Sequence, residues 1–242
     1  MNSSPSKNRA AACILALILG STSLNGSPIT HNHQTKISDR ILHHFQLEPL
    51  VLTGRMKTAQ DSHPLILVTR DNQLTYRFPK HNLFFRVEFT KKGNKLFVKQ
   101  AADAPWKTLE KEQYLDRILN SDATYEDLTL NFIHWSQTVA LGPDTIKTVP
   151  ALKYEASAPP GEKSSYSRIR YWVEAASFAL LRADALNDKG QVIKRLEVNG
   201  VIRLGNVVVI KELQISSMIP GRDLSASRTY IEFWDVKPAE TG

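Results

Sequence analysis

The chain has 242 residues, of which 42% are hydrophobic and 23% charged, as in an ordinary soluble globular protein. Its 12 prolines and 11 glycines are too few for a disordered or collagen-like chain, and its single cysteine excludes a disulfide scaffold or a thiolate zinc cluster within one chain. The formal net charge of +7 favours anionic surfaces as partners. Only one continuous apolar run is present, which excludes a multi-span membrane protein.

That apolar run predicts a secretory signal peptide over residues 1–23. Lys7 and Arg9 precede the apolar residues 10–20, and small polar residues follow them, which is the order of such a signal. The run is too short for a membrane-spanning helix, which needs roughly 20 residues. Because Cys13 lies near the start of the run and not after it, we expect cleavage without a lipid anchor. The alternative is a buried N-terminal helix.

Residues 24–36 are polar and patternless, and we expect a flexible lead-in there. Apolar residues at helical spacing predict a helix over 37–45, and two further helices are predicted over Thr108–Leu119 and Thr124–Trp135, each with acidic residues near its start. Ten segments have the apolar pattern of strands, separated by turn residues such as Gly93. These segments are 50–56, 65–69, 73–78, 82–90, 95–100, 166–174, 178–186, 192–202, 207–217 and 227–236.

Alternation within these strands predicts which side chains face the interior. Apolar residues recur at every second position, while charged residues such as Arg86 and Glu88 occupy the positions between them. Amphipathic strands joined by short turns indicate a mostly antiparallel sheet with one covered face. A sheet of about ten strands with two to three helices most simply wraps around the helices. We therefore expect one mainly β domain over residues 37–237, followed by a tail at 238–242.

No catalytic motif is recognisable in the chain. It contains no G-x-S-x-G, H-E-x-x-H, P-loop or G-x-G-x-x-G pattern, and we predict no catalytic residue, no cofactor and no metal site. His31 and His33 offer only two ligands in the lead-in, which is a weak metal site. Lys95, Phe97 and Lys99 form a basic and aromatic patch on one strand. Such a patch suits single-stranded nucleic acid, but in an exported protein a solvated face or a contact with anionic lipid fits better, so we expect no nucleic-acid partner.

One segment is specific enough to indicate kinship. Residues 119–128, LNSDATYEDL, resemble the "LGSDFSYEDL" segment of outer-membrane lipoprotein-sorting proteins, the relatives of the periplasmic carrier LolA. The positions that carry the resemblance are Asp122, Tyr125, Glu126, Asp127 and Leu128. Weaker matches follow in the family's order, and the resemblance covers residues 37–237. Asn120 replaces the family's usual glycine, and Ala123 and Thr124 replace Phe-Ser.

The resemblance implies a curved, unclosed antiparallel half-barrel whose open side is covered by helices, with an apolar cavity between them for acyl chains. Burying an acyl chain is favourable by about 0.8 kcal/mol per CH₂, so a carrier needs no covalent step. We expect a periplasmic, non-enzymatic carrier of lipoprotein or lipid acyl chains for sorting to the outer membrane. Its further partners would be an inner-membrane donor, an outer-membrane acceptor and, transiently, the membrane surface.

The interior positions of the predicted strands then become candidate contacts of the cargo. They are Leu83, Phe85, Val87, Phe89, Leu96, Val98, Ile169, Tyr171, Val173, Ile231 and Phe233. Two alternatives remain open from the sequence. The first is a non-catalytic envelope scaffold or protein-binding module on the same fold with a packed interior. The second is an exported hydrolase with an unrecognised site.

Overall fold

A computed structural model of the protein describes residues 17–18, 39–41, 47–205 and 207–239. These residues form mainly β-strands. The strands are β1 (Leu17–Ile18), β2 (Leu47–Lys57), β3 (Ser62–Asp71), β4 (Gln73–Phe78), β5 (Leu83–Glu88), β6 (Lys95–Lys99), β7 (Lys107–Thr108), β8 (Gln137–Ile146), β9 (Val149–Ser157), β10 (Arg168–Glu174), β11 (Leu180–Leu186), β12 (Val192–Leu204), β13 (Val207–Met218) and β14 (Ser225–Pro238).

The helices in the described part of the chain are short. One five-residue α-helix, α1, spans Tyr125–Thr129, and residues 39–41 are helical. Single turns of 3₁₀-helix span Pro79–His81, Lys111–Leu115, Ile118–Asn120 and Asn131–His134.

All the strands belong to one antiparallel sheet that does not close. Thirteen of them follow the order β7-β6-β5-β4-β3-β2-β14-β13-β12-β11-β10-β9-β8, and β1 pairs separately with β13. The sheet therefore consists of two meanders, a first half (β2–β7) and a second half (β8–β14), joined where β2 pairs with β14. Its two free edges are β7 and β8. The chain must pass from one free edge to the other between residues 109 and 135, which we call the inner segment.

The inner segment crosses the concave side of the sheet, and its contacts show that the sheet curves around it. Side chains of this one short segment contact strands from both halves, which a flat sheet of this width would not allow. The contacts join Tyr114 to Leu96 on β6, Tyr125 to Phe85 on β5, Phe132 to Tyr171 on β10, Asp127 to Lys194 on β12, and Asp122 to Thr229 on β14. Residues of both halves and of the inner segment share one hydrophobic core.

The predicted mainly β architecture is confirmed, but the number of strands is not. The ten predicted strands are present, and β1, β7, β8 and β9 are additional. β8 was not predicted because its side chains are mostly exposed, so apolar and polar residues do not alternate along it, and because Gly142 and Pro143 lie within it. At Gly142, φ is +98° and the pairing with β9 shifts register.

The two predicted central helices are wrong as continuous helices. Extended backbone at Asp116 and Arg117 interrupts the first, and the left-handed conformation of Leu130, with a φ of 52°, interrupts the second. Between them, Leu119 and Asn120 also have positive φ values, of 49° and 56°, so only α1 and single 3₁₀ turns form. Asn120 stands where the related family has glycine, and asparagine tolerates this left-handed conformation better than most residues. Apolar spacing in this segment indicates burial against a curved sheet on several sides and does not indicate one amphipathic helix.

The predicted interior alternation is confirmed by burial. Phe85, Val87, Leu96, Tyr171 and Val173 are fully buried, and Phe89, Ile169, Ile231 and Phe233 are at most 5% exposed. Leu83 and Val98 are half-buried and pack on the core. Of the predicted helix over 37–45, residues 39–41 are helical, and Ile41 is buried in the core. The rest of that helix, the lead-in and residues 240–242 lie outside the described residues, as does the predicted signal peptide except for Leu17–Ile18.

Candidate functional site

The site lies between the inner segment and the second half of the sheet, and its first feature is the anchoring of Asp122. This buried residue donates its backbone N–H to Thr229 Oγ1 over 2.8 Å. Its carboxylate accepts hydrogen bonds from the hydroxyls of Ser217, over 2.6 Å, of Thr229, over 3.1 Å, and of Ser227. A carboxylate satisfied by three hydroxyl groups is held in one position, so the middle of the inner segment is fixed to β13 and β14.

Asp127 connects α1 to the sheet through a buried polar network. Its Oδ2 accepts the Thr124 backbone N–H over 2.8 Å, and its own N–H donates to Thr124 Oγ1 over 3.3 Å, which forms a capping box for α1. The same carboxylate accepts Lys194 Nζ and the Tyr166 hydroxyl, each over 2.7 Å. The side chains of Asp127 and Lys194 are only 1% and 11% exposed. Burial and the adjacent charge of Asp127 raise the pKa of the Tyr166 hydroxyl well above its ordinary value, so it stays protonated and donates.

Glu126, the other acidic residue of α1, joins the inner segment to the loop that precedes β10. Its carboxylate accepts the Ser165 backbone N–H over 3.1 Å and the hydroxyl of Ser164. Burial raises the pKa of Glu126, and these hydrogen bonds oppose that shift. The acidic residues of the family motif therefore anchor the inner segment and make no contact with one another that suggests acid–base chemistry.

The far end of the inner segment is fastened to the β5–β6 hairpin. Asn94 donates its backbone N–H to Asn131 Oδ1 over 2.8 Å and its side-chain amide to the Thr129 carbonyl over 2.6 Å. Its own Oδ1 lies 3.0 Å from His134 Nε2. Burial lowers the pKa of His134, so the imidazole is favoured in its neutral form.

Two small cavities lie beneath the inner segment against the second half of the sheet. The first, about 30 Å³, is lined on its apolar side by Phe132, Trp135, Ile169, Ala183, Ala185 and Leu196. The second, about 20 Å³, is lined by Leu128, Leu130, Leu180, Leu181, Val198 and Leu213. Asp127 and Leu196 line both, so these two residues separate the two cavities. A cavity needs about 10–15 Å³ to hold one water, so these cavities admit no more than a few waters in the present conformation.

A wider groove leads from the protein surface to the first cavity. Its volume is about 450 Å³, within the roughly 300–1,000 Å³ range of ligand pockets. Lys111, Tyr114, Asn131, Trp135 and Glu162 line both the groove and the first cavity. The groove and the two cavities therefore form one line from the surface across the concave face. The groove is lined by the lysines Lys92, Lys95 and Lys111 and by the carboxylates Glu110 and Glu162, of which Glu162 pairs with Lys111 over 3.1 Å, while the second cavity is lined mainly by apolar side chains.

The predicted cargo contacts are all interior, but they are unevenly placed with respect to this line. Ile169 lines the first cavity, whereas the other ten predicted positions line neither the groove nor the two cavities. Among the motif residues, Glu126 and Asp127 line the first cavity, and Asp127 and Leu128 line the second. Tyr125 packs edge-on against Phe85, with ring centroids 5.2 Å apart.

Several lining residues were not among the sequence candidates. Ala183 and Ala185 on β11 are 2% exposed, and their small side chains leave the space of the first cavity. The signal was present in the sequence as alanines at two successive inward positions of one strand, where the neighbouring strands carry the larger residues Ile169, Tyr171, Lys194 and Leu196. Lys194 was missed because a lysine at an inward position is recognisable only once its carboxylate partner is known.

Two searches of the described residues gave negative results. No group of three or more His, Cys, Asp or Glu side chains there has the arrangement of a metal site. Within the same residues, no helix has the length and apolar character needed to cross a membrane.

Comparison with known proteins places the fold. A family model with the description "Uncharacterized protein" matches residues 81–240, while no curated protein sequence matches the chain. A domain assigned to outer membrane lipoprotein sorting from Vibrio parahaemolyticus aligns with a TM-score of 0.62 at 14% identity, over 78% of this chain and 85% of that one.

Two further solved structures align over comparable lengths. A DUF1329 family protein from Desulfovibrio piger has a TM-score of 0.59 at 13% identity, over 84% of this chain and 91% of its own. A LolA superfamily protein from Nitrosomonas europaea has a TM-score of 0.56 at 13% identity, over 85% and 93%. At these identities the likeness shows a shared fold, and it confirms the resemblance to lipoprotein-sorting proteins at the level of fold.

Proposed function

The chain belongs to the family whose model matches residues 81–240 and has the fold of lipoprotein-sorting proteins, and from this basis we propose that it is a non-enzymatic carrier of acyl chains. The cargo is a lipoprotein or lipid of the bacterial envelope, and the protein works in the periplasm after removal of a signal peptide. It receives cargo from an inner-membrane donor and passes it to an outer-membrane acceptor.

The observation that supports this proposal is the continuous line of groove and apolar cavities beneath the inner segment. An acyl chain gains about 0.8 kcal/mol for each CH₂ that it buries, so an apolar track of this kind supplies most of the affinity. Lys92 and Lys95 at the groove suit a phosphate or carboxylate at the polar end of the cargo.

The cavities of the present conformation are too small for an acyl chain, so cargo must bind a second conformation in which the inner segment has moved away from β10–β12. The inner segment is attached there by polar contacts with Lys194, Tyr166, Ser164 and Ser165, and by apolar contacts around small alanines. A bound chain would stabilise the open conformation by its preferential affinity for it, which is a population shift.

Displacement of a fluorescent fatty acid tests this proposal. Ala183→Leu places a larger side chain in the first cavity and is expected to weaken fatty-acid binding at least about tenfold. Ala156→Leu is the matched control, since Ala156 is fully buried on β9 but lines neither cavity. Equal affinity in both variants, measured on the folded fraction, would contradict the proposed track.

The tight closure of the interior favours a second candidate function, a non-catalytic envelope scaffold or protein-binding module. The cavities of about 30 and 20 Å³ are compatible with an interior that never opens. Lipid extraction of the purified protein followed by mass spectrometry distinguishes the two functions. Co-purified acyl lipid supports the carrier, and its absence after gentle purification from native membranes supports the scaffold.

A further inference from the structure

The outer face of the first half of the sheet carries an excess of positive charge. The outward positions of β3–β6 hold five cations, Arg70, Arg77, Arg86, Lys95 and Lys99, and one carboxylate, Glu88. None of these cations has a carboxylate within ion-pair distance in the described part of the chain. Glu88 lies opposite Lys95 in the register, so the rest of the face has no acidic residue opposite its cations.

The neighbours of two of these cations are aromatic rings and not carboxylates. Lys99 Nζ lies 5.3 Å from the ring centroid of Phe84 and 5.0 Å from that of Trp106. The Arg86 guanidinium lies 4.7 Å from Trp106 and 5.0 Å from Phe97. We call Arg77, Phe84, Arg86, Phe97, Lys99 and Trp106 the cation–aromatic face.

Arg86 is incompletely satisfied in this arrangement. Its Nε is buried and has no hydrogen-bond partner among the described residues. The guanidinium lies beside both rings, and no carboxylate pairs with it among the described residues. A guanidinium held in this way is suited to bind a phosphate.

In the second half of the sheet, most outward cations form ion pairs with carboxylates. Glu155 accepts from Arg168 over 3.1 Å and from Arg170 over 2.7 Å, and Asp184 accepts from Arg182 over 2.6 Å and from Arg195 over 2.8 Å. Even the cations beside Trp172 have acidic partners, since Lys153 lies 3.7 Å from Asp144 and Arg182 pairs with Asp184. Most outward cations of the second half thus have carboxylate partners, whereas those of β3–β6 have none within ion-pair distance.

We propose that the cation–aromatic face docks on the surface of a bilayer that contains anionic phospholipid. Anionic head groups supply the negative charge that the face lacks, and juxtamembrane Lys and Arg residues gain from it. Tryptophan and phenylalanine rings are favoured at the boundary between head groups and acyl chains, and long cationic side chains reach the phosphates from there. A soluble polyanion would satisfy the cations but gives no role to the half-exposed rings.

This inference does not depend on the proposed carrier function. The face is on the convex side of the sheet, whereas the cavities are on the concave side, and no residue is shared between them. The protein can therefore bind vesicles without binding fatty acid, or bind fatty acid without binding vesicles.

Sedimentation of the full chain with vesicles tests the docking. We expect binding to phosphatidylcholine vesicles that contain phosphatidylglycerol, little binding to phosphatidylcholine alone, and a loss of binding when salt is raised from about 0.05 to about 0.5 M. The double variant Arg77→Gln/Lys99→Gln is expected to weaken partitioning about thirtyfold, since each cation near a membrane surface contributes about fivefold. Lys211→Gln/Arg222→Gln removes the same charge from exposed positions of the second half and is expected to weaken it less than about threefold.

Fluorescence gives an independent measurement for Trp106. Brominated phosphatidylglycerol vesicles should quench tryptophan emission in the native protein, and Trp106→Phe should remove most of that quenching while its melting temperature stays near that of the native protein. Equal vesicle binding by the two charge variants would overturn the proposal. So would binding to soluble polyglutamate that depends on Arg77 and Lys99 without any binding to vesicles, which would assign the face to an acidic polymer.

Discussion

The two halves of the concave face are packed with side chains of different size. In the first half, Tyr76 stacks on Phe85 with ring centroids 4.5 Å apart, and Phe78 lies 6.2 Å from the same ring. All three rings are at most 1% exposed. In the second half, the corresponding inward positions include Ala183 and Ala185, and both cavities lie there.

This difference shows that interior position and available space are separate properties of a strand. Both halves contain strands whose inward side chains are buried. The two walls differ in the volume of their inward side chains. Aromatic rings fill the interior beside the first half, whereas Ala183 and Ala185 leave part of the interior beside the second half empty. Opening the second half requires the polar contacts of the inner segment to break, among them the pair of Asp127 with Lys194, whereas opening the first half would require the stacked rings of Tyr76, Phe78 and Phe85 to separate.

The largest expected effect comes from removing a ring in the packed half. Phe85→Ala should lower the free energy of unfolding by about 3–5 kcal/mol, because the surrounding rings cannot collapse into the space. Fatty-acid affinity of the folded fraction should stay unchanged, since Phe85 lines neither cavity. Urea unfolding and fluorescent fatty-acid displacement measure the two quantities. A drop in affinity would extend the cargo path to β5 and erase the contrast between the halves.

A second variant tests the buried ion pair of Lys194 with Asp127. Lys194→Met should destabilise the protein by about 3–5 kcal/mol, because it leaves the buried carboxylate of Asp127 without its cation. Combining it with Asp127→Asn should recover part of this loss. Lys153→Met is the control at a more exposed pair, Lys153 with Asp144 at 3.7 Å, and should cost less than about 1 kcal/mol. Equal losses from the two lysine variants would show that the buried pair does not hold the inner segment.

A smaller loss of stability is expected when a side chain is enlarged, and the loss should depend on whether that side chain lies at a cavity or in the packed core. Ala183→Val should cost less than about 1 kcal/mol because the added methyl groups extend into existing space, whereas Ala156→Val should cost about 1–3 kcal/mol through overpacking. Thermal melting of both variants measures the difference. The reverse order would mean that the first cavity is not a true packing defect.

The smallest effect concerns pH at the mouth of the groove. Burial lowers the pKa of His134, and the charge of Asp39 opposes this only in part. The unfolded chain therefore binds the proton more readily, so stability is complete above about pH 6.5 and declines as the pH falls through and below that value. We expect a decline of less than about 1 kcal/mol, with a shallower slope in His134→Asn. An unchanged slope in that variant would assign the decline to another group, such as His63, whose pKa burial also lowers.

Much of the fold could be predicted from the sequence, because strand alternation directly records which face is buried. The ten predicted strands and the interior positions from Phe85 to Phe233 rest on that pattern alone. β8 could not be predicted, since an exposed edge strand has no buried face to record. The inner segment was misread as helices because its burial comes from a surrounding sheet and its path is set by distant partners such as Thr229 and Lys194.

The candidate site was less predictable than the fold. The motif around Asp122 and Asp127 located the segment that covers the concave face, but its residues proved to be anchors of that segment. The space itself depends on Ala183 and Ala185, which are unremarkable until the neighbouring strands are aligned.

Quenching of Trp135 tests the central claim, that acyl chains bind beneath the inner segment, most directly. Trp135 lines both the groove and the first cavity, whereas the other three of the four tryptophans line neither the groove nor the two cavities. A brominated fatty acid should quench the native protein's emission in a saturable way. That quenching should disappear in Trp135→Phe and persist in Trp106→Phe and Trp234→Phe. Saturable quenching that survives Trp135→Phe, or no quenching in the native protein, would contradict the account.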